Sequence, residues 1–148
     1  MGNRAIIVDI DGTLSQSNHV DQYTDVGGSV DWKAWMNSNQ YAPVNEWCRE
    51  IVNAAIAMGT QIIFLTARTG DAQGWEVTDM WLKNNGFTNY KLFMRKEGDY
   101  RPDYAIKQEI YNTEIMAYYD VQFAIDDKKR IIDMWRSLDI PALHCADY

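Results

Sequence analysis

Asp9 and Asp11 flank Ile10 and lead into Gly12-Thr13, directly after the β-branched run Ala5-Ile6-Ile7-Val8. Carboxylates at i and i+2 of an extended chain project to one side, and Gly12 lets the backbone turn sharply beyond them. Such a pair can divide labour: one carboxylate attacks phosphorus in line while the other holds a proton for the leaving oxygen. An Asp-rich turn that caps the next segment is the plainer reading of isolated acids. Three further places along the chain bear on that choice.

After a second apolar run, Gln61 to Leu65, come Thr66, Ala67 and Arg68. A hydroxyl with successive backbone N–H groups can hold phosphate oxygens there, and Arg68 can meet them in a bidentate pair. Taken alone, Thr66 would serve as a turn or helix cap. Lys107 stands four residues after Asp103, a spacing that suits an ordinary surface ion pair. Aimed instead at the first turn, its ammonium would neutralise both a nucleophilic carboxylate and a phosphoryl group in transfer. Asp126-Asp127 closes a third apolar run. One acid ending a strand and the other capping a helix would explain both. A hard divalent cation also wants carboxylate, carbonyl and water oxygens, which Asp9, the Asp11 carbonyl and Asp126 would supply from neighbouring strand ends. Acids crowded together without a cation would repel one another.

These positions need a scaffold that brings strand ends together. Buried strands are predicted at 5–8, 61–65, 90–94, 121–125 and 142–145, and helices lie between them. Val44, Trp47, Cys48, Ile51, Val52, Ala55 and Ile56 follow a helical period, with Pro43 at its first position and Gly59 ending it. Further helices are predicted over 72–84, closed by Gly86, over 102–118 and over 127–138. Alternating strands and helices imply an α/β three-layer sandwich around a central parallel sheet, and ligands of such sheets bind beyond the carboxyl ends of the strands.

With 148 residues, one domain spanning 1–148 is expected. Net charge is −7, so any contact with a polyanion must be local. No apolar run approaches the roughly 18–20 residues that cross a bilayer, and the start lacks a secretory pattern; a cytoplasmic location is expected. Cys48 and Cys145 have no metal-ligand spacing and read as reduced, buried thiols.

Together the motifs resemble the haloacid dehalogenase superfamily of phosphotransferases, on Asp9-x-Asp11-Gly12-Thr13, Thr66, Lys107 and Asp126-Asp127. That resemblance implies a Rossmannoid fold with Asp9 as nucleophile and Asp11 as general acid and base. It makes Thr66 and Lys107 phosphate holders, and sets Mg²⁺ among Asp9, Asp11, Asp126 and Asp127. More closely, Thr66 to Gly70, Gly98 to Asp103 followed by Lys107, Ala124 to Asp127, and Met134-Trp135-Arg136 resemble the 3′-phosphatase domain of phage-type polynucleotide kinase-phosphatases. By this likeness Arg68 and Asp103 join the site, with Asp103 orienting Lys107 or another cation, and Gly12, Thr13, Ala67 and Arg101 lie on the substrate side. The chain departs from the pattern in two respects. It carries no Gly-x-x-x-x-Gly-Lys-Ser/Thr loop, so no kinase half, and Ser15 to Val30 holds His19 but no Arg or Lys where those enzymes carry an arginine.

The insert from Ser15 to Ala42 is too short for an independent cap core, and an open site suits phosphate on a large molecule such as a DNA or RNA 3′ end. Lys91, Arg95, Lys96, Arg101 and Lys107 outnumber Glu97, Asp99 and Asp103, and Lys128-Lys129-Arg130 adds a second cluster, which a solvated helix face explains equally well. Tyr23, Trp32, Trp35 and Tyr41 can stack bases, although lid or core packing is the better account of them. Two other functions stay open: a phosphatase of small molecules or nucleotide monophosphates, and a non-catalytic phosphate-binding module. A separate kinase or ligase partner is compatible with the resemblance.

Overall fold

Strands β1 (Asn3–Val8), β2 (Gln61–Thr69), β3 (Tyr90–Arg95), β4 (Tyr119–Asp126) and β5 (Ala142–His144) pair in parallel in the order β3-β2-β1-β4-β5. The computed structural model describes residues 2–17 and 27–146. Helices α1 (Trp32–Asn39), α2 (Glu46–Ala57), α3 (Ala72–Asn84), α4 (Asp103–Ile110) and α5 (Lys129–Ser137) complete it.

The two-residue period of the strands decides the layers. Ile6, Val8, Ile62 and Phe64 pack with Cys48 and Val52 of α2 and Trp81 and Leu82 of α3. Ala5, Ile7, Ile63 and Leu65 face the opposite way, onto Ile115 and onto Ile131, Ile132 and Trp135 of α5. Strands buried on both faces must be apolar at every position, and the runs at 5–8 and 62–65 are. The sheet grows from β1 through β2 to β3, and then the chain crosses back to lay β4 beside β1. That reversal opens a crevice beyond the carboxyl ends of β1 and β4, where Asp9 and Asp126 stand.

Several boundaries differ from the sequence reading. Helix α2 begins at Glu46, after Asn45, and not at Pro43. Pro43 and Val44 are instead held extended against the loop after β1: Gln16 N–H donates to the Pro43 carbonyl at 2.8 Å, and Val44 bridges Ser15. The insert contains a helix, α1, that its polar composition did not announce. The helix expected to run to residue 118 changes to a π turn at Tyr111–Ile115, and β4 starts at Tyr119. The wider turn buries Ile115 and sets the Tyr111 ring 5.6 Å from Trp135, edge to face. Helix α5 begins at Lys129, which leaves Asp127 outside it. Gly59 and Gly86 close α2 and α3 with positive φ, as expected. Among the described residues no helix is long and apolar enough to cross a membrane.

Helix α3 sits unusually close to the end of β2. A Cβ at Gly74 would lie 2.0 Å from the Thr69 carbonyl oxygen and 2.9 Å from Asp71 Oδ1, the atom that accepts the Gly74 N–H at 2.7 Å. Gly74→Ala is therefore expected to destabilise the protein by about 1–3 kcal/mol, the usual cost of overpacking. Urea unfolding checks this, and an unchanged midpoint would show that α3 is free to lift from the strand.

Candidate active site

The turn after β1 is built from its own backbone. Asp9 N–H still pairs with Ile125 of β4 at 3.1 Å, and then Thr13 and Ser15 N–H both return to the Ile10 carbonyl. Gly12 takes φ of 79° at the bend, a region that favours glycine. Its own N–H is occupied by the Ser15 carbonyl. Asn45 ties this turn to α2, donating from its amide to the Thr13 carbonyl at 2.8 Å. Thr13 Oγ1 donates to Asp9 Oδ2 at 2.9 Å, which fixes the Asp9 carboxylate from one side.

On the other side stands Lys107, only 3% exposed. Its Nζ donates to Asp9 Oδ1 at 2.8 Å and to Asp126 Oδ2 at 2.6 Å. The plain i,i+4 pair with Asp103 is not what forms. Burial alone would depress the Lys107 pKa, yet the charges and hydrogen bonds of Asp126 and Asp9 raise it, so the group stays an ammonium. Asp9 is pushed well above the usual carboxylate range, first by burial and then by the negative charge of Asp126, against the pull of Lys107.

Asp9, Asp126 and Asp127 are all buried, and each offers a carboxylate oxygen within 4.8 Å of the others. One lysine cannot balance three carboxylates. Hard oxygen donors gathered at this spacing suit a divalent cation with oxygen preference. The donor set fits a metal. The Asp11 side chain lies outside that cluster.

Asp11 instead meets Arg68. The guanidinium donates from Nε to Asp11 Oδ2 at 2.8 Å and from Nη2 to Oδ1 at 2.5 Å, and Ser17 Oγ adds a bond to Oδ1 at 2.7 Å. Burial would raise the Asp11 pKa, but the charge and hydrogen bonds of Arg68 outweigh it and hold the carboxyl below its ordinary value. Arg68 reaches this position because β2 does not end at Leu65. Pairing with β3 continues to Thr66, skips Ala67 and Arg68, and resumes at Thr69. Such a bulge re-aims the unpaired side chains. Thr66 Oγ1 accepts the Arg68 N–H at 3.1 Å within it, and the Ala67 carbonyl is taken by Arg95 Nε at 2.9 Å.

The sequence-predicted residues therefore divide by position. Asp9, Thr13, Lys107, Asp126 and Asp127 meet at one point, and Asp11, Thr66 and Arg68 form an adjoining group with Gly12 and Ala67 in the connecting backbone. Asp103 stands one step away. Its Oδ2 accepts from Lys128 Nζ at 2.9 Å and Arg130 Nη2 at 2.6 Å, so the cations that it orients are these two. Lys129 pairs with Asp133 on the helix surface instead. Arg101 is half-exposed and turned to Asp99 and Glu109, away from the others. His19 and Tyr23 lie outside the described residues. Sequence reasoning missed two supports. Arg95, counted only as a surface cation, braces the bulge and the Asp99 and Arg101 carbonyls at 2.8 and 2.6 Å. Trp35 covers the Arg68 guanidinium, whose carbon is 5.1 Å from the ring centre; its burial was legible as lid packing, its target was not.

Carboxylates at the ends of β1 and β4, joined by a buried lysine in a three-layer parallel-sheet fold, define a phosphatase of the haloacid dehalogenase type. More narrowly, the chain belongs to the polynucleotide kinase PNKP phosphatase-domain family, whose family model matches residues 3–148. It is 28% identical over 148 residues to a protein of Autographa californica nuclear polyhedrosis virus assigned as a bifunctional polynucleotide kinase/RNA ligase, covering 98% of this chain and 20% of that one. Among solved structures it resembles a chain of the Pnkp1/Rnl/Hen1 complex, with a TM-score of 0.82 and 29% identity over 99% of this chain and 48% of the other. A chain of the Pnkp1/Rnl/Hen1 RNA repair complex gives 0.81 and 30%, over 97% and 42%. The chain thus spans about a fifth of the viral relative and less than half of the solved chains.

The Asp103 cluster makes a prediction about pH. The Asp103 pKa is lowered: burial opposes ionisation, and the hydrogen bonds of Arg130 and Lys128 overcome it. A depressed carboxylate stabilises the fold above its unfolded pKa of about 3.9, and that contribution disappears as pH falls through the folded value. Both cations are half-exposed, so solvent screening reduces the effect. Asp103→Asn is expected to lose about 1–2 kcal/mol at neutral pH and to converge with wild type in acid. Thermal unfolding across pH tests it, and a gap that persisted undiminished in acid would refute the assignment.

Proposed function

We propose that this domain is a Mg²⁺-dependent phosphatase that removes 3′-phosphates from polynucleotide ends through an aspartyl-phosphate on Asp9. The observation that carries the reading is the Lys107 ammonium shared by Asp9 and Asp126, with Asp127 completing the acid cluster. Asp9 is nearly buried and held by Thr13 and Lys107, so its carboxylate has one defined orientation, as an in-line nucleophile requires.

In the first half-reaction an Asp9 oxygen bonds to phosphorus, the bond from phosphorus to the ester oxygen breaks, and that oxygen takes a proton from Asp11. In the second, water attacks phosphorus, the bond to Asp9 breaks, and the water proton passes to Asp11. The sum is ester plus water giving alcohol plus phosphate. With its pKa lowered by Arg68, Asp11 is ionised before substrate arrives. A dianionic phosphoryl group beside Arg68 would compete for the guanidinium and return proton affinity to Asp11, which would take up a proton from solvent as substrate binds. Lys107, Thr66 and the backbone around Ala67 would meet the phosphoryl oxygens. Mg²⁺, held by Asp9, Asp126 and Asp127 with the Asp11 carbonyl, would supply charge neutralisation for the transferring group.

The 3′-end substrate is supported by the family and by the cations that rim the acids. Lys128 and Arg130 keep partly exposed heads on Asp103, local positive charge within a chain of net charge −7. We also infer that 5′-kinase and ligase steps come from outside these residues. The viral relative's name joins kinase with ligase, and the solved relatives are in complex with Rnl and Hen1.

Two outcomes follow. Asp9→Asn should abolish phosphate release while the protein remains folded, and Asp11→Asn should lose about 10²–10⁴-fold, the usual share of acid–base catalysis. Wild-type turnover by either variant would sink the mechanism. On a panel of substrates, 3′-phosphorylated oligonucleotides should be hydrolysed with higher kcat/KM than mononucleotides or phosphorylated metabolites. That activity should fall with salt and vanish on chelation of divalent ions. A metabolite preferred over every oligonucleotide would point instead to a small-molecule enzyme.

A further inference from the structure

The insert between β1 and α2 contributes a side chain that the mechanism above leaves unused. Trp35, on the first turn of α1, is 3% exposed yet belongs to neither of the two clusters that cover the sheet. What it packs against is the face of Arg68, at 5.1 Å. Each nitrogen of that guanidinium already has a partner: Nε and Nη2 grip Asp11, and Nη1 donates to Thr78 Oγ1 at 3.2 Å. Thr78 belongs to α3, so the cation is held by the strand bulge, a helix on one side and the indole over its plane.

We propose that Trp35 is a positioning residue for leaving-group protonation, acting through Arg68 to fix the orientation of the Asp11 carboxylate. Arg68 leaves the sheet in a bulge, where no ladder partner restrains it, and its side chain has several rotatable bonds. Only its side-chain partners can set its orientation. A bidentate fork transmits that orientation to the carboxylate, because two parallel hydrogen bonds fix the relative plane of both groups. An aromatic face is the one neighbour that holds a guanidinium without competing for its N–H donors.

Helix α1 is anchored for this task. Asp31 caps it by accepting the Ala34 N–H at 3.0 Å, and Asn39 donates to the Trp35 carbonyl at 2.9 Å. Just beyond its end the Ala42 carbonyl accepts Trp81 Nε1 of α3 at 2.8 Å. The Trp32 ring also sits edge-on to Trp35 at 6.0 Å. These contacts fix the helix that carries Trp35, so the insert does more than cover the site.

The inference rests on the proposed role of Asp11, and the leaving group separates the two. p-Nitrophenolate departs without a proton, whereas the alkoxide of a nucleotide 3′ end needs one. With Trp35→Leu, the rate of ester cleavage in a single turnover of a 3′-phosphorylated oligonucleotide should fall about tenfold or more. The oligonucleotide KM, and the burst rate of p-nitrophenolate release from p-nitrophenyl phosphate that precedes the shared hydrolysis of the aspartyl-phosphate, should stay near wild type. Trp35→Phe, which keeps a ring, should recover most of the loss. If the leucine variant does not fold, Trp35→Met is measured in its place. Equal losses on both esters by a folded variant, a change confined to KM, or no rescue by phenylalanine would overturn the Trp35 assignment. Asp11→Asn serves as the reference. Equal losses there would instead overturn the role of Asp11, and phosphate release from neither ester by wild type would overturn the phosphatase reading.

Discussion

A single ammonium, Lys107 Nζ, lies between two buried carboxylates that the fold forces together. The parallel order β3-β2-β1-β4-β5 makes β1 and β4 neighbours, so Asp9 and Asp126 end side by side at the switch point. Burial and mutual repulsion would disfavour both charges. Lys107 reaches them from α4 at 2.8 and 2.6 Å, and the cluster tolerates its own charge because of it. Removing one member of a buried pair typically costs about 3–5 kcal/mol, so α4 is fastened to the sheet by the same contact that prepares the chemistry. The surplus of negative charge left after Lys107 is what makes the cluster receptive to a divalent cation.

The second ion pair is different in kind. Arg68 is buried while Asp11 is partly exposed, and a bidentate fork joins them instead of a shared point charge. Their meeting depends on a two-residue irregularity in β2 that Arg95 braces from β3, and on an indole from the insert. Asp9, Asp126 and Asp127 are thus set by the core of the sheet. The Asp11 side is set by a bulge and by α1, elements outside that core. Such a division lets one scaffold keep a phosphoryl-transfer centre while its surroundings change.

The basic residues show why counting charges along a chain is a poor guide to surfaces. Of the cations between Lys91 and Lys107, Arg95 works inward on backbone carbonyls, Arg101 is neutralised by Asp99 and Glu109, and Lys107 is buried. In Lys128-Lys129-Arg130 the middle residue faces the helix surface and Asp133, while Asp103 gathers the outer two. The potential at the site comes from this sorting, not from the sum.

By itself the chain's order of residues determined the layers, the parallel sheet and the strand ends that matter. Continuous apolar runs at 5–8 and 62–65 read as strands buried on both faces, Asp9 and Thr66 follow them directly, and Asp126 ends a weaker one. It also singled out Lys107, although there the spacing to Asp103 argued for a surface pair. Only the tertiary structure decided where each charge points. Whether Lys107 meets Asp103 or Asp9 depends on which face of α4 lies on the sheet. Whether Arg68 holds a phosphate or Asp11 depends on a bulge that leaves no mark in composition. The target of Trp35 depends on a helix that polar residues concealed. Strand identity is encoded locally, by hydrophobic runs; the direction of a side chain is fixed by neighbours far along the chain, and no local pattern records them.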